Sequence, residues 1–93
     1  MPDDGRGPAE VVVLTQADCG FCDQAKKTLA RVAKEFELRI SEVDLVSSEG
    51  QELARNSGVM FPPGILLDGR LFSYGRLSER KLRRELGKRD GRG

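Results

Sequence analysis

The feature that most constrains this chain is Cys19-Gly20-Phe21-Cys22, which holds its only two cysteines. Immediately before it runs Val11-Val12-Val13-Leu14, a short β-branched apolar block. Immediately after it, Cys22, Ala25, Leu29, Val32, Ala33 and Phe36 recur at steps of three and four. That spacing predicts a helix over residues 20–36, with Lys26, Lys27, Arg31, Lys34 and Glu35 on its outer side. The apolar block is continuous rather than alternating, so it suits a strand over 10–15 that is buried on both faces. A strand therefore delivers a CxxC to the start of a helix, through the loop Gln16-Ala17-Asp18.

The rest of the chain reads as a small α/β domain. Leu38, Ile40, Val43 and Leu45 alternate with polar residues and predict a second strand over 38–45, with a change of phase after Ser41. Ser48 with Gln51 fits a capping box opening a short helix over 49–56, and Gly58 is placed to end it. Pro62-Pro63-Gly64 breaks the chain before Ile65-Leu66-Leu67, a third strand. Asp68-Gly69 is a hairpin turn, and Leu71-Phe72 opens a fourth strand. Ser78 can cap a last helix, with Leu77, Leu82 and Leu86 as its apolar stripe and Gly87 as its stop. The order β-α-β-α-β-β-α predicts a four-stranded mixed sheet with helices on both faces. Its first two strands are parallel, joined by a right-handed crossover.

Ninety-three residues make one domain. Residues 1–9 are expected to be a disordered lead-in, 10–87 the domain and 88–93 a frayed basic tail. No apolar run approaches the ~20 residues of a spanning helix, and residues 1–8 lack the apolar core of a secretory signal. The expected setting is a reducing cytoplasm, where an isolated CxxC is catalytic or metal-binding more often than structural. Charge is uneven: residues 1–69 carry 7 Lys/Arg and 12 Asp/Glu, while residues 70–93 carry 9 and 3. The basic end could favour an acidic partner or nucleic acid, and the plainer reading is a solvated helix face and tail. No aromatic interleaving accompanies it, so no nucleic-acid partner is expected.

The chemistry of a CxxC at a helix start is that of a dithiol. A thiolate attacks disulfides, and unpaired amides at a helix N-terminus stabilise it. Cys19 takes the nucleophile's place, and Cys22, one turn in, that of the buried resolving thiol. The chain has no histidine, and Asp18 and Asp23 flank the motif. The helix terminus must therefore supply most of the activation, and a moderate depression of the Cys19 pKa is expected. Gly20 admits a close backbone approach, and Phe21 either shields the site as an exposed apolar contact or packs in the core. Two other readings of the pair stand beside this one: an inert pair, and half of a metal or iron–sulfur site shared between two chains. No metal site is expected within one chain, because two ligands cannot close a tetrahedral zinc site.

Strand, Cys-Gly-Phe-Cys, helix, strand, helix and then Pro63-Gly64-Ile65-Leu66-Leu67-Asp68-Gly69 together resemble the glutaredoxin branch of the thioredoxin-like superfamily, over residues 10–87. The resemblance implies a thioredoxin-like fold without the extra N-terminal strand and helix. It also implies a cis-proline at Pro63, with Pro62 as the rival position and a trans Pro-Pro turn as the alternative. The implied activity is thiol–disulfide oxidoreduction through Cys19 and Cys22, with Gly20, Phe21, Pro62, Pro63 and Gly75 shaping the substrate groove. The implied substrate is a protein disulfide or a glutathione mixed disulfide. Electrons would come from glutathione as co-substrate or from a thioredoxin-type reductase, with no bound cofactor and a monomeric protein. Three positions depart from the pattern. Thr15-Gln16-Ala17-Asp18 holds no lysine ahead of the motif. Pro62 has no N–H to pair with a substrate strand. The family's Gly-Gly-x-Asp-Asp reads Ser73-Tyr74-Gly75-Arg76-Leu77, which keeps the glycine and replaces the acidic pair that helps hold the glutathione amine.

Overall fold

A computed structural model of the chain describes residues 7–90. Its elements are β1 (Ala9–Thr15), α1 (Gly20–Val32), β2 (Leu38–Asp44), α2 (Ser48–Ser57), β3 (Gly64–Leu67), β4 (Arg70–Tyr74) and α3 (Glu79–Arg89). The sheet order is β2-β1-β3-β4. β1 and β2 are parallel in unbroken register from Ala9 opposite Leu38 to Thr15 opposite Asp44. A parallel pair cannot be closed by a tight turn, so α1 makes the crossover. β3 runs antiparallel to β1 and forms a hairpin with β4 through Asp68-Gly69. This is the mixed, four-stranded α/β architecture that the element order predicts.

Strand parity divides the core in two. Ala9, Val11 and Val13 of β1 face one side, where they pack with Ala25, Leu29 and Val32 of α1, Ile65 of β3, and Leu82 and Leu86 of α3. Leu14 faces the other side with Val59 and Leu66, against Leu53 and Ala54 of α2. The apolar run in β1 is thus buried on both faces, as its lack of alternation requires. The phase change in β2 has the same origin: Leu38 packs on the first cluster and Val43 on the second. β2 is an edge strand, and Ile40 remains largely exposed.

Several element boundaries differ from expectation. α1 ends at Val32 rather than 36. The chain then turns, with the Phe36 N–H donating to the Val32 carbonyl at 3.0 Å, and Phe36 stays in the core. The apolar period thus outlasts the helix. The cap of α2 is Ser47, whose Oγ accepts the Gly50 N–H at 3.0 Å. Gln51 does not close a box with Ser48; its amide donates to the Leu45 carbonyl at 3.2 Å. Gly50 lies so close to the Asp44 carbonyl that any Cβ would collide with that backbone. Gly58, at φ 90°, ends α2 in the left-handed region.

The first strand and the last helix each reach slightly beyond the expected bounds of 10 and 87. α3 runs through Gly87 to Arg89, capped at its start by Ser78. The Arg89 guanidinium donates to the carbonyls of Gly7 and Pro8 at 2.7 and 3.1 Å and pairs with Asp68. Lys88 and Arg89 therefore belong to a docked helix end. Ala9 is buried as the first residue of β1. The expectations for residues 1–6 and 91–93 lie outside the described residues.

Candidate active site

β1 leaves the sheet at Thr15, and the turn before the motif bends at Asp18, whose φ of 57° is left-handed. Aspartate tolerates that region better than most side chains. The bend presents Cys19 as the N-cap of α1, at φ −113° and ψ 105°. Its Sγ accepts the Cys22 N–H at 3.1 Å, and its carbonyl accepts the Asp23 N–H at 3.2 Å. Sulfur thus occupies the place a serine or aspartate oxygen takes in an ordinary cap, at the positive end of the helix. Cys19 and Cys22 are paired as a disulfide, their Cα atoms 5.2 Å apart. Cys22 is buried; Cys19 is only partly so. The sulfur open to attack is therefore the one that caps the helix.

Strand register brings the other predicted residues to the same end of the sheet. Leu14 pairs with Gly64, and Gly64 with Tyr74. The chain leaving β1 toward Cys19, the chain entering β3 from Pro63 and the chain leaving β4 into Gly75 thus emerge along one edge. The Pro62–Pro63 bond is cis, so Pro63 rather than Pro62 is the cis residue. Pro63 is buried, and its carbonyl accepts the Gly75 N–H at 2.8 Å. Gly20 is exposed, and a Cβ there would meet nothing within 4 Å. Phe21 is 49% exposed, which removes core packing as its role.

Two residues of this edge escaped the sequence reading. Phe61 and Tyr74 form an edge-to-face pair with centroids 5.0 Å apart, and both are exposed. Phe61 also covers Gly75. A two-residue loop at Asp68-Gly69 with regular pairing would set Gly64 opposite Ser73. The irregularity between Ile65 and Leu66 shifts the register so that Tyr74 stands there instead. The signal was the turn, and the bulge concealed it.

At the start of α3, Glu79 accepts from Arg31 at 2.8 Å and from Arg83 at 3.0 Å. These hydrogen bonds, first that of Arg31 and then that of Arg83, hold its carboxyl below the usual carboxylate range. Glu35 and Glu79 in turn raise the pKa of Arg83. Among the described residues, no helix is long and apolar enough to cross a membrane.

The fold and the cysteine pair at a helix start define the thioredoxin-like class. Among solved structures, a thioredoxin variant from Halobacterium salinarum superposes with a TM-score of 0.69 at 20% identity, covering 90% of this chain and 76% of that one. Fasciola hepatica thioredoxin gives 0.64 at 24% identity, covering 92% and 85%. Within that class, residues 10–87 match the model of the glutaredoxin-like domain (DUF836), and the chain belongs to that family. Uncharacterized proteins of Mycobacterium tuberculosis (Rv0508) and Mycobacterium bovis (Mb0520) are each 33% identical to it over 79 residues, 83% of this chain and 81% of theirs. A thioredoxin-like fold that holds Cys19 and Cys22 at disulfide distance suits thiol redox chemistry.

Proposed function

We propose that this protein is a glutaredoxin-type thiol–disulfide oxidoreductase, working as a monomer in a reducing cytoplasm. The observation that carries the proposal is the position of Cys19. It is the accessible member of the pair, and its sulfur accepts a backbone amide at the positive end of α1. In the reduced protein that amide and the helix dipole favour the thiolate. The Cys19 thiolate attacks one sulfur of a substrate disulfide. A Cys19–substrate disulfide forms, and the other substrate sulfur leaves as a thiolate that takes up a proton. Cys22 then loses its proton and attacks the Cys19 sulfur. The Cys19–Cys22 disulfide closes and the second substrate thiolate departs. Two electrons have passed to the substrate, and two thiols of a donor return them.

Phe21, Pro62, Pro63 and Gly75 shape the groove that receives the substrate, and the exposed backbone at Gly20 leaves room for it. Pro62 can offer an approaching strand its carbonyl but no N–H. Arg76 stands where a carboxylate would meet the glutathione amine. That reversal favours protein disulfides as substrates and a thioredoxin-type reductase as donor over tight use of glutathione.

The test is equilibration across glutathione redox buffers, acid trapping and intact mass. A reversible loss of two hydrogens, two protons with two electrons, is expected on oxidation. In the Cys22→Ser variant any mixed disulfide is carried by Cys19, and the Cys19→Ser variant should form none. A glutathione adduct assigns glutathione as donor, and its absence assigns the reductase. No redox response anywhere in the glutathione range overturns the oxidoreductase reading.

A further inference from the structure

We infer that a cationic groove beside the CxxC docks an acidic segment of the disulfide-bearing partner protein, an inference that rests on the oxidoreductase reading. The groove encloses about 630 Å³ between α1 and the junction of β4 with α3. Lys27 and Arg31 line one wall, and Arg76 and Arg80 the other. All four are exposed. Glu79 is the only acid in the lining, and two guanidiniums already match its charge. Lys27, Arg76 and Arg80 form no ion pair among the described residues. An unmatched positive surface in a concave site attracts anions.

The position of the groove says which anion. Gln24, Lys27, Thr28 and Arg31 recur at steps of three and four, so they share the face of α1 that begins at the CxxC. At 1.5 Å per residue, Lys27 lies about 12 Å and Arg31 about 18 Å along the helix from Cys19. The opposite wall continues from Gly75, which is bonded to the Pro63 carbonyl. A tripeptide-sized thiol on Cys19 spans roughly 10 Å when extended, so it can meet Arg76 at the near end of the groove but stops short of the turn of α1 that carries Arg31. An extended polypeptide at ~3.3 Å per residue brings its residues about four to six positions from the reacting cysteine onto the groove. The partner is therefore a protein with Asp or Glu at that distance from its disulfide.

The probes are peptides with one cysteine carried as a mixed disulfide with thionitrobenzoate. Three Glu residues stand about four to six positions from the cysteine, on its N-terminal side in one peptide and its C-terminal side in another. Matched peptides carry Gln. Reduced protein is mixed with each, and release of the yellow thiolate is timed. One Glu peptide is expected to react about tenfold faster than its Gln match at low salt, from three weak exposed ion pairs. The ratio should fall toward one in about 0.5 M NaCl. It should do so too in Lys27→Glu/Arg80→Glu and, by a smaller step, in Lys27→Gln/Arg80→Gln. Equal rates for Glu and Gln peptides overturn the inference and leave the chemistry standing. A preference that both variants keep overturns the groove as its source. If dithiodipropionate is preferred over neutral hydroxyethyl disulfide by the same ratio, the site belongs to a small anionic disulfide, and the peptide assignment falls. No thiolate release from any peptide overturns the oxidoreductase reading. In that event, anisotropy of a cysteine-free fluorescent Glu peptide decides the docking alone: binding that both variants weaken sustains it, and no binding ends it.

Discussion

Gly75 joins three parts of the candidate site, so Gly75→Ala tests how that edge is built. At φ 78°, an alanine costs about 1–2 kcal/mol relative to glycine. Its Cβ would stand 2.8 Å from Cε1 of Phe61, closer than such atoms pack, and in ordinary contact with Cζ at 3.5 Å. The Phe61 ring is half-exposed and can swing outward, at the expense of its edge-to-face contact with Tyr74, worth about 0.5–1.5 kcal/mol. The sum is about 1.5–3.5 kcal/mol, which in a domain of this size lowers Tm by roughly 6–28 °C. Urea and thermal unfolding of the oxidised protein, followed by circular dichroism, measure it. The decisive comparison is Gly75→Ala in a Phe61→Ala background, where only the backbone cost remains. There the loss should shrink by about 0.5–1.5 kcal/mol. Equal losses in the two backgrounds would refute the contact. A loss below about 0.5 kcal/mol in the wild-type background would refute the backbone argument as well.

Arg89→Ala removes the charged hydrogen bonds to Gly7, Pro8 and Asp68 and should cost about 1.5–3 kcal/mol, read as a lower urea midpoint. An unchanged midpoint would return residues 88–89 to a frayed tail. Glu79 is held below the usual carboxylate range, so its contribution is fully present above the unfolded pKa and fades as pH falls through the lowered folded value. The Tm difference between wild type and Glu79→Gln should therefore be present at neutral pH and close in acid. A difference that stays constant from neutral pH down to about pH 2 would show that the Arg31 and Arg83 bonds do not set the carboxyl's charge state.

Local patterns made much of this molecule legible. The unbroken apolar run at Val11–Leu14 required burial on two faces and therefore helices on two faces. The spacing after Cys22 set both the helix and its inward stripe, and the Asp68-Gly69 turn set the hairpin. Readings failed where the deciding partner is distant in sequence or where two neighbours compete. Gly87 has the composition of a helix stop, yet α3 continues because Arg89 is held by Asp68 and by the backbone ahead of β1. Ser47 and Ser48 are equivalent as letters; the Ser47 Oγ reaching Gly50 decides between them. Of the candidate site, Cys19 and Cys22 could be read directly, because the chemistry lies in the motif. The Phe61–Tyr74 pair depends on a bulge that no residue type announces. The cationic groove assembles residues from α1 with residues some fifty positions later. In the linear chain its second wall looks like part of an ordinary basic end.

The sulfur of Cys19 is both the cap of α1 and the accessible redox atom. Those two duties form one thermodynamic cycle. A charged acceptor draws a stronger hydrogen bond from the Cys22 amide than a neutral disulfide sulfur does. Reduction to the thiolate thus tightens the first turn of the helix, and oxidation loosens it. Whatever strengthens that turn in the reduced state must, by the same free energy, make the disulfide a stronger oxidant. Substitutions at Gly20, Phe21 and Asp23 therefore act as tuning positions for redox poise, even where they never touch a substrate. The length and seating of α1 become part of the protein's electrochemistry.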